Sequence, residues 1–562
     1  MKKLYFIVVL CMAVVVLTNC GGKKGTAMSV AHVKIPQDVS AVMSVDLSLL
    51  QSKTTSIKNA MNGEMFKKLD IPTEMAVVLK QVVEAVDTDQ KMYFFTKVAT
   101  QGSYMAISFV LKDANKLKKA FDQAPTKPKF EKEGDIELAV TPQIAIGFKG
   151  KTGLILINES PKNTLNGGAE EPMEEEEPSM DNEEEQPKKN ARKSGKNARN
   201  EHKPMNQGEF KTTFVKVFKT TEAESLKESN FIIAEKAGYD VSFWYDNEAI
   251  QKVASNDSQE MFQMFPFMKQ LTELKGTSYM GLRFNNGEAV MELTTNMDKE
   301  TSKKYANIMA QATADKLGQN IPINKPSALM SFSINTTALY DFMKDDEKSL
   351  DGMAMNAREF NMKPKDMFDM FNGNVVLATG SFKVAELMMF NPKSLELVLA
   401  VGLNKKDNFK KILKKLVQQG ELKDKGKGIY TMKPVMRGMS DMFLIEKNDA
   451  FYITPSSKVK DALVSGKGGM DVSQIKGNMF SMYTDLKAII AQVPNDMKTD
   501  KAANQMLEKL KDLSISVTPI KNNMTTGKLV LRFNESKNAL KIISEMMENA
   551  VNAQKKRELS IR

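Results

Sequence analysis

Two cysteines and two histidines in 562 residues leave little of the side-chain chemistry on which many enzymes depend. Cys11 and Cys20 are too few for a disulfide scaffold. With His32 and His202 as the sole imidazoles, neither a Cys/His zinc site nor Cys/His nucleophilic catalysis is expected. No HExxH, P-loop, GxGxxG or EF-hand spacing occurs, and the glycine-rich pieces Gly426-Lys427-Gly428 and Gly466-Lys467-Gly468-Gly469 read as turns. Tryptophan appears once, as Trp244. Long hydrophobic runs are also scarce: Leu4–Leu17 gives fourteen apolar residues, against the roughly twenty that a membrane-spanning helix requires.

The remainder is ordinary globular material. Apolar residues make up 42% and charged residues 27%, which predicts about two to four folded domains rather than a disordered chain. Lys2 and Lys3 followed by the short apolar run read as a signal peptide, residues 1–19. The run ends in Leu17-Thr18-Asn19-Cys20, which resembles the lipobox of bacterial lipoproteins. That resemblance implies that Cys20 carries a diacylglyceryl group and, with further acylation such as palmitate, anchors the chain; Asn19 departs from the small residue usual before the cysteine. Residues 20–30 then form a linker. The absence of aspartate at Gly21 implies, by likeness to Gram-negative sorting, the outer membrane, and Lys23 and Lys24 favour its periplasmic face over the cell surface.

The net charge of +11 is spread along the chain, so nucleic acid is not an expected partner. One stretch is different. Residues 161–209 run from AEEPMEEEEPSMDNEEEQP into KKNARKSGKNARNEHKP, two opposed charge blocks with almost no large apolar side chain. Such a segment buries too little surface to offset the entropy of ordering, and is expected to be a disordered insert.

Four segments align on a serine: around Ser44, Ser242, Ser331 and Ser481. An apolar residue follows each serine at once (Val45, Phe243, Phe332, Met482), and Ser48, Asp246, Asn335 or Asp485 comes four positions later. Those four residue types cap helix N-termini, so each segment predicts a strand running into a capped helix. A hairpin and a second helix follow every unit, with Asn286-Gly287 and Gln101-Gly102 as turn signals. The first and third units add further strands. The reading is therefore α+β: tandem duplicated modules of antiparallel sheet with helices packed on one face, residues 31–319 and 321–562, the charged insert interrupting only the first.

The segment Ile35-Pro36-Gln37-Asp38-Val39-Ser40-Ala41-Val42-Met43-Ser44-Val45-Asp46-Leu47, placed shortly after the lipobox, resembles a large uncharacterised lipoprotein family of Bacteroidota-type bacteria. The resemblance implies an anchored envelope protein and carries over no catalytic residue.

The aligned serines lack a nearby histidine base and any G-x-S-x-G elbow, so they read as strand residues. His32 and His202 read as solvated side chains, and Tyr93-Phe94-Phe95 and Trp244 as strand core. The forty methionines, dense in Met261–Met268 and in Phe360–Phe371, read first as core and second as an adaptable ligand surface. The expected function is a non-catalytic, outer-membrane-anchored binding or scaffolding protein without cofactor or metal, its partners being the membrane through the anchor and envelope proteins. One alternative is a carrier of an apolar ligand or lipid, with a dry pocket between sheet and helices. Another is a glycan hydrolase, because any two of 69 acidic residues can meet in space.

Overall fold

The computed structural model describes residues 32–53, 85–99, 102–122, 129–158, 204–249, 275–309, 314–344, 357–380, 395–432, 441–492, 501–546 and 549. The expectations for the signal peptide, Cys20 with its linker, His202, Met261–Met268 and most of the charged insert lie outside these residues.

The first ten strands are β1 (Ala41–Asp46), β2 (Lys91–Lys97), β3 (Tyr104–Val110), β4 (Glu131–Glu133), β5 (Ile136–Val140), β6 (Ile144–Lys149), β7 (Thr152–Asn158), β8 (Val241–Asp246), β9 (Gly276–Asn285) and β10 (Glu288–Met297). The next ten are β11 (Ala328–Ser333), β12 (Phe371–Thr379), β13 (Leu397–Leu403), β14 (Leu422–Asp424), β15 (Ile429–Met432), β16 (Met442–Lys447), β17 (Ala450–Thr454), β18 (Phe480–Asp485), β19 (Leu510–Val517) and β20 (Met524–Phe533). All pair antiparallel into one open sheet, in the spatial order 4-5-6-7-3-2-1-8-9-10-20-19-18-11-12-13-17-16-15-14. From the central β10–β20 pair outward, each strand of the first ten is answered by the strand numbered ten higher. The sheet ends in β4, Glu131-Lys132-Glu133, and β14, Leu422-Lys423-Asp424. Short charged edges of this kind resist pairing with another chain.

The turns agree with their local chemistry. Gly287 takes φ +73 in the two-residue Asn286-Gly287 turn between β9 and β10, where a left-handed conformation is needed. Gly426 and Gly428 have φ of +78 and +74 in a turn, and Gly466 at +75 closes a helix, as expected for those glycine-rich pieces.

The helices are α1 (Leu47–Lys53), α2 (Ala114–Asp122), α3 (Gln207–Phe218), α4 (Ser229–Lys236), α5 (Lys299–Ala306), α6 (Ala314–Gly318), α7 (Thr336–Met343), α8 (Pro364–Asp369), α9 (Lys406–Gln418), α10 (Ser457–Ser465), α11 (Leu486–Ala491) and α12 (Lys501–Glu508). The class is α+β, with the sheet dominant. Helices do not pack on one face alone, as the sequence reading expected. In the first half Phe94, Ile107 and Ile155 face α1 and α2 through Leu47, Leu50 and Leu117. Their strand neighbours Tyr93, Ala106 and Leu156 face α3 and α4 through Phe210, Phe214 and Phe231. The second half does likewise, with Val376 and Ala400 under α6 and α10, and Leu403 and Phe451 under α9. The physical reason lies in strands such as Lys91–Lys97 and Thr152–Asn158, which are apolar at successive positions and must bury both sides.

The ordered body reaches into the segment read as insert. Asn206 caps α3 and Glu209 completes a capping box, so the helix begins at Gln207. Its Phe210 and Phe214 are fully buried, each worth about 1.5–3 kcal/mol over exposure. Gly147 makes room for this: a Cβ there would press on the Phe214 ring. At the other boundary, Ala314 and Leu317 of α6 pack with Ile321 and Ile323 on the second half, although the sequence reading ended the first half at residue 319. Met362 and Met370 are buried, in line with the core reading of the Phe360–Phe371 run.

Candidate functional site

Three of the four expected caps take that role. Asp246, Asn335 and Asp485 accept from the N–H groups of Ala249, Ala338 and Ala488 at 3.0, 3.1 and 2.8 Å. Ser48 does not. The first helix starts directly after β1, so Asp46 accepts from Leu49 N–H at 3.0 Å, while the Ser48 hydroxyl donates to the same Asp46 oxygen at 3.1 Å. The cap lies two residues earlier than expected because α1 starts three residues after its serine, whereas α7 and α11 start five residues after theirs.

The aligned serines meet in pairs. Ser44 opposes Ser242 across β1 and β8, their hydroxyls 2.7 Å apart, and Ser331 opposes Ser481 across β11 and β18. Ser331 and Ser481 are 1% exposed, and their hydroxyls have no hydrogen-bond partner among the described residues.

His32 is not a solvated side chain. Its ring stands edge-on to Tyr93 at 5.0 Å, and burial pushes its pKa down to about 4, against a smaller opposing effect from Glu235. The Tyr93 hydroxyl donates to Glu235 Oε2 at 2.8 Å, and Lys91 Nζ lies 3.2 Å from the same oxygen. Burial, then the Glu235 charge, holds the Tyr93 phenol well above its usual value. The alternation of Val33 and Ile35 with polar neighbours was a signal that this segment is packed: both are in the core beneath Tyr93.

The largest coherent feature is a row of side chains across the sheet. In register, Val241, Leu282, Met291, Leu529, Ile515 and Met482 stand side by side on β8, β9, β10, β20, β19 and β18. The row continues through Met330, Leu377, Leu399, Ile453 and Leu444 on β11, β12, β13, β17 and β16. Every member is apolar, and none is fully buried. Eleven strands at about 4.8 Å spacing make a strip roughly 48 Å long. Met330 and its neighbour on the same face, Phe332, are 41% and 37% exposed. The reverse face of the middle strands is ionic and hydroxylic. Glu292 there meets Arg283 at 3.3 Å and Lys528 at 3.5 Å, and Arg532 meets Asp512 at 2.8 Å. The middle strands are therefore apolar on one side and, apart from the buried pair Val290 and Val530, polar on the other, while the row's end members Val241 and Leu444 pack against the flanking cores. Apolar residues flanking each aligned serine were the visible trace of this strip, since strand neighbours point to opposite faces.

Among the described residues no group of three or more His, Cys, Asp or Glu side chains could hold a metal ion, and no helix is long and apolar enough to cross a membrane. No protein-family model matches the chain, and no curated protein is a significant match to it. Among solved structures the chain is similar to crystal forms I and IV of TP0453, at 6% and 7% identity. Each match covers 49% of this chain, with 81% and 85% of the other covered and TM-scores of 0.26 and 0.25. At that level the likeness assigns neither family nor function.

Proposed function

We propose that this chain is a lipid-anchored, non-catalytic envelope protein, tethered at Cys20 to the outer membrane, that holds an apolar molecule along the central strip of its sheet. The observation that carries the proposal is the unbroken row from Val241 to Leu444, in which no side chain is fully buried. Apolar area left partly uncovered is costly in water at about 25 cal/mol per Å², and continuous patches of it mark binding surfaces. The partial exposure of most members favours a slender ligand such as an acyl chain over a flat protein partner, which would meet side chains standing clear of their neighbours. A cleft of about 570 Å³ lies apart from this row and is lined largely by polar side chains, so the apolar ligand is assigned to the face of the sheet. The repeated strand order about β10 and β20, with the serines of each half paired in the same register, supports an origin by tandem duplication of one ten-strand module.

Titration of delipidated protein with a fluorescent polyene fatty acid tests the reading. Saturable binding is expected, weakened at least tenfold by Met330→Glu, a change at an exposed position that leaves the fold intact. No saturable binding, or equal binding by the variant, refutes it; recovery of a stoichiometric protein partner from detergent-solubilised membranes, with no lipid, would establish scaffolding instead.

A further inference from the structure

A second recess lies apart from the apolar strip, where the start of α7, the first residues of β12 and the turn between β16 and β17 come together. Its volume is about 570 Å³, within the range of ligand sites. Six asparagines line it: Asn320, Asn335, Asn372, Asn374, Asn404 and Asn448. Thr336 and Thr337 add hydroxyls at the same place.

This recess is built, not left over. The pairing of β12 with β13 shifts register between Phe371 and Val375, a bulge that brings Asn372-Gly373-Asn374 to the cleft. Gly373 at the bulge has φ +81, and a Cβ on it would run into the Ile334 carbonyl oxygen. A Cβ on Gly402 of β13 would run into the Asn372 amide. The corresponding strand of the first half, β2, pairs with β1 and β3 without a shift. Bulges of this kind re-aim side chains and gather beside functional sites. The amides are also held in place. Buried Asn374 accepts from the Ser333 hydroxyl at 2.9 Å, Asn372 accepts from the Asn374 N–H at 3.0 Å, and Asn335 accepts from the Ala338 N–H at 3.1 Å.

A primary amide presents two donors and an acceptor without net charge, which matches hydroxyl groups that both donate and accept. Two charged side chains touch the recess. Asp449 is paired with Lys406, and Lys316 stands exposed at the margin. One carboxylate is half of what glycoside hydrolysis requires, so the lining suits binding without cleavage.

We propose that the asparagine-lined cleft binds a neutral saccharide, recognised through its hydroxyl groups. The test is calorimetric titration of the full mature protein with neutral disaccharides, with and without N-acetyl groups, and with a uronic-acid disaccharide as the anionic control. The expected result is saturable binding of at least one neutral sugar, weakened tenfold or more by Asn404→Ala and by Asn320→Ala. Asn404 is exposed and Asn320 is half-exposed, and thermal melts verify that each variant stays folded. Absence of binding by any neutral sugar overturns the proposal. So does binding that both asparagine variants retain, or binding confined to the acidic sugar and lost with Lys316→Ala.

Discussion

Replacing Asp240 probes how the first half holds itself together. This carboxylate, just before β8, has no exposed surface, and both of its oxygens lie 2.6 Å from Lys53 Nζ at the end of α1. One oxygen also accepts from the Phe284 N–H of β9 at 2.6 Å. A single side chain thus ties a helix, a strand entry and a neighbouring strand. Removing one member of a buried ion pair costs about 3–5 kcal/mol, because the partner charge is stranded. Lys53 is 22% exposed and regains some water, and asparagine keeps an acceptor for Phe284, so Asp240→Asn is expected near the lower limit, about 3 kcal/mol. A chain of this size does not unfold in one step, so the readout is local: hydrogen exchange of the Phe284 amide with thermal unfolding alongside. The exchange rate should rise by about two orders of magnitude, since 1.4 kcal/mol is a factor of ten. Adding Lys53→Met to Asp240→Asn removes both charges, keeps the acceptor for Phe284 and should recover most of the loss. A loss below about 0.5 kcal/mol in the single variant, or a double variant as damaged as the single one, would refute the reasoning.

Two further predictions concern smaller features. Asp46→Ala, Asp246→Ala and Asp485→Ala should each lower stability by about 1 kcal/mol through loss of a helix cap, whereas Ser48→Ala should cost a few tenths at most; thermal melts of the four variants decide it. His32 is neutral in the fold with its pKa near 4, against 6.5 when exposed, so the unfolded chain takes up a proton that the folded chain refuses between those values. Stability is therefore intact above pH 6.5 and falls as the pH drops toward 4, by about 3 kcal/mol at most. Urea unfolding of the native chain and His32→Phe at pH 7.5 and 4.5 isolates this from the carboxylates, and identical pH slopes for the two proteins would contradict the burial argument.

Local chemistry carried much of the fold into view. The Asn-Gly turn, alternating hairpin strands and capping residues after aligned serines all have short-range causes, and the structure places them close to where those causes act. Ser48 was misplaced as a cap because the strand-to-helix link is two residues shorter in the first unit than the serine alignment implied. What the linear chain conceals is long-range. Glu292 and Lys528 sit 236 residues apart yet meet at the centre of a continuous sheet, a register that no local pattern specifies. Helices on both faces were foreshadowed by the doubly apolar strand Lys91–Lys97, whereas one-sided packing was inferred from short antiparallel strands accompanied by helices. The asparagine cleft depends on a bulge that brings residues from β12, β13, α7 and a distant turn together; its glycines were visible, their neighbours were not. His32 looked solvated beside the expected anchor because the Tyr93 ring that covers it lies across the sheet.

The central claim is that the apolar strip holds a slender apolar ligand. Native mass spectrometry of the full mature protein, purified in mild detergent from its own envelope, tests it most directly. The account predicts one non-covalent acyl lipid per chain, released on collisional activation and absent from a Met330→Glu variant prepared in the same way. Native chain and variant both arriving at the mass of the bare anchored protein, in repeated preparations, would contradict it.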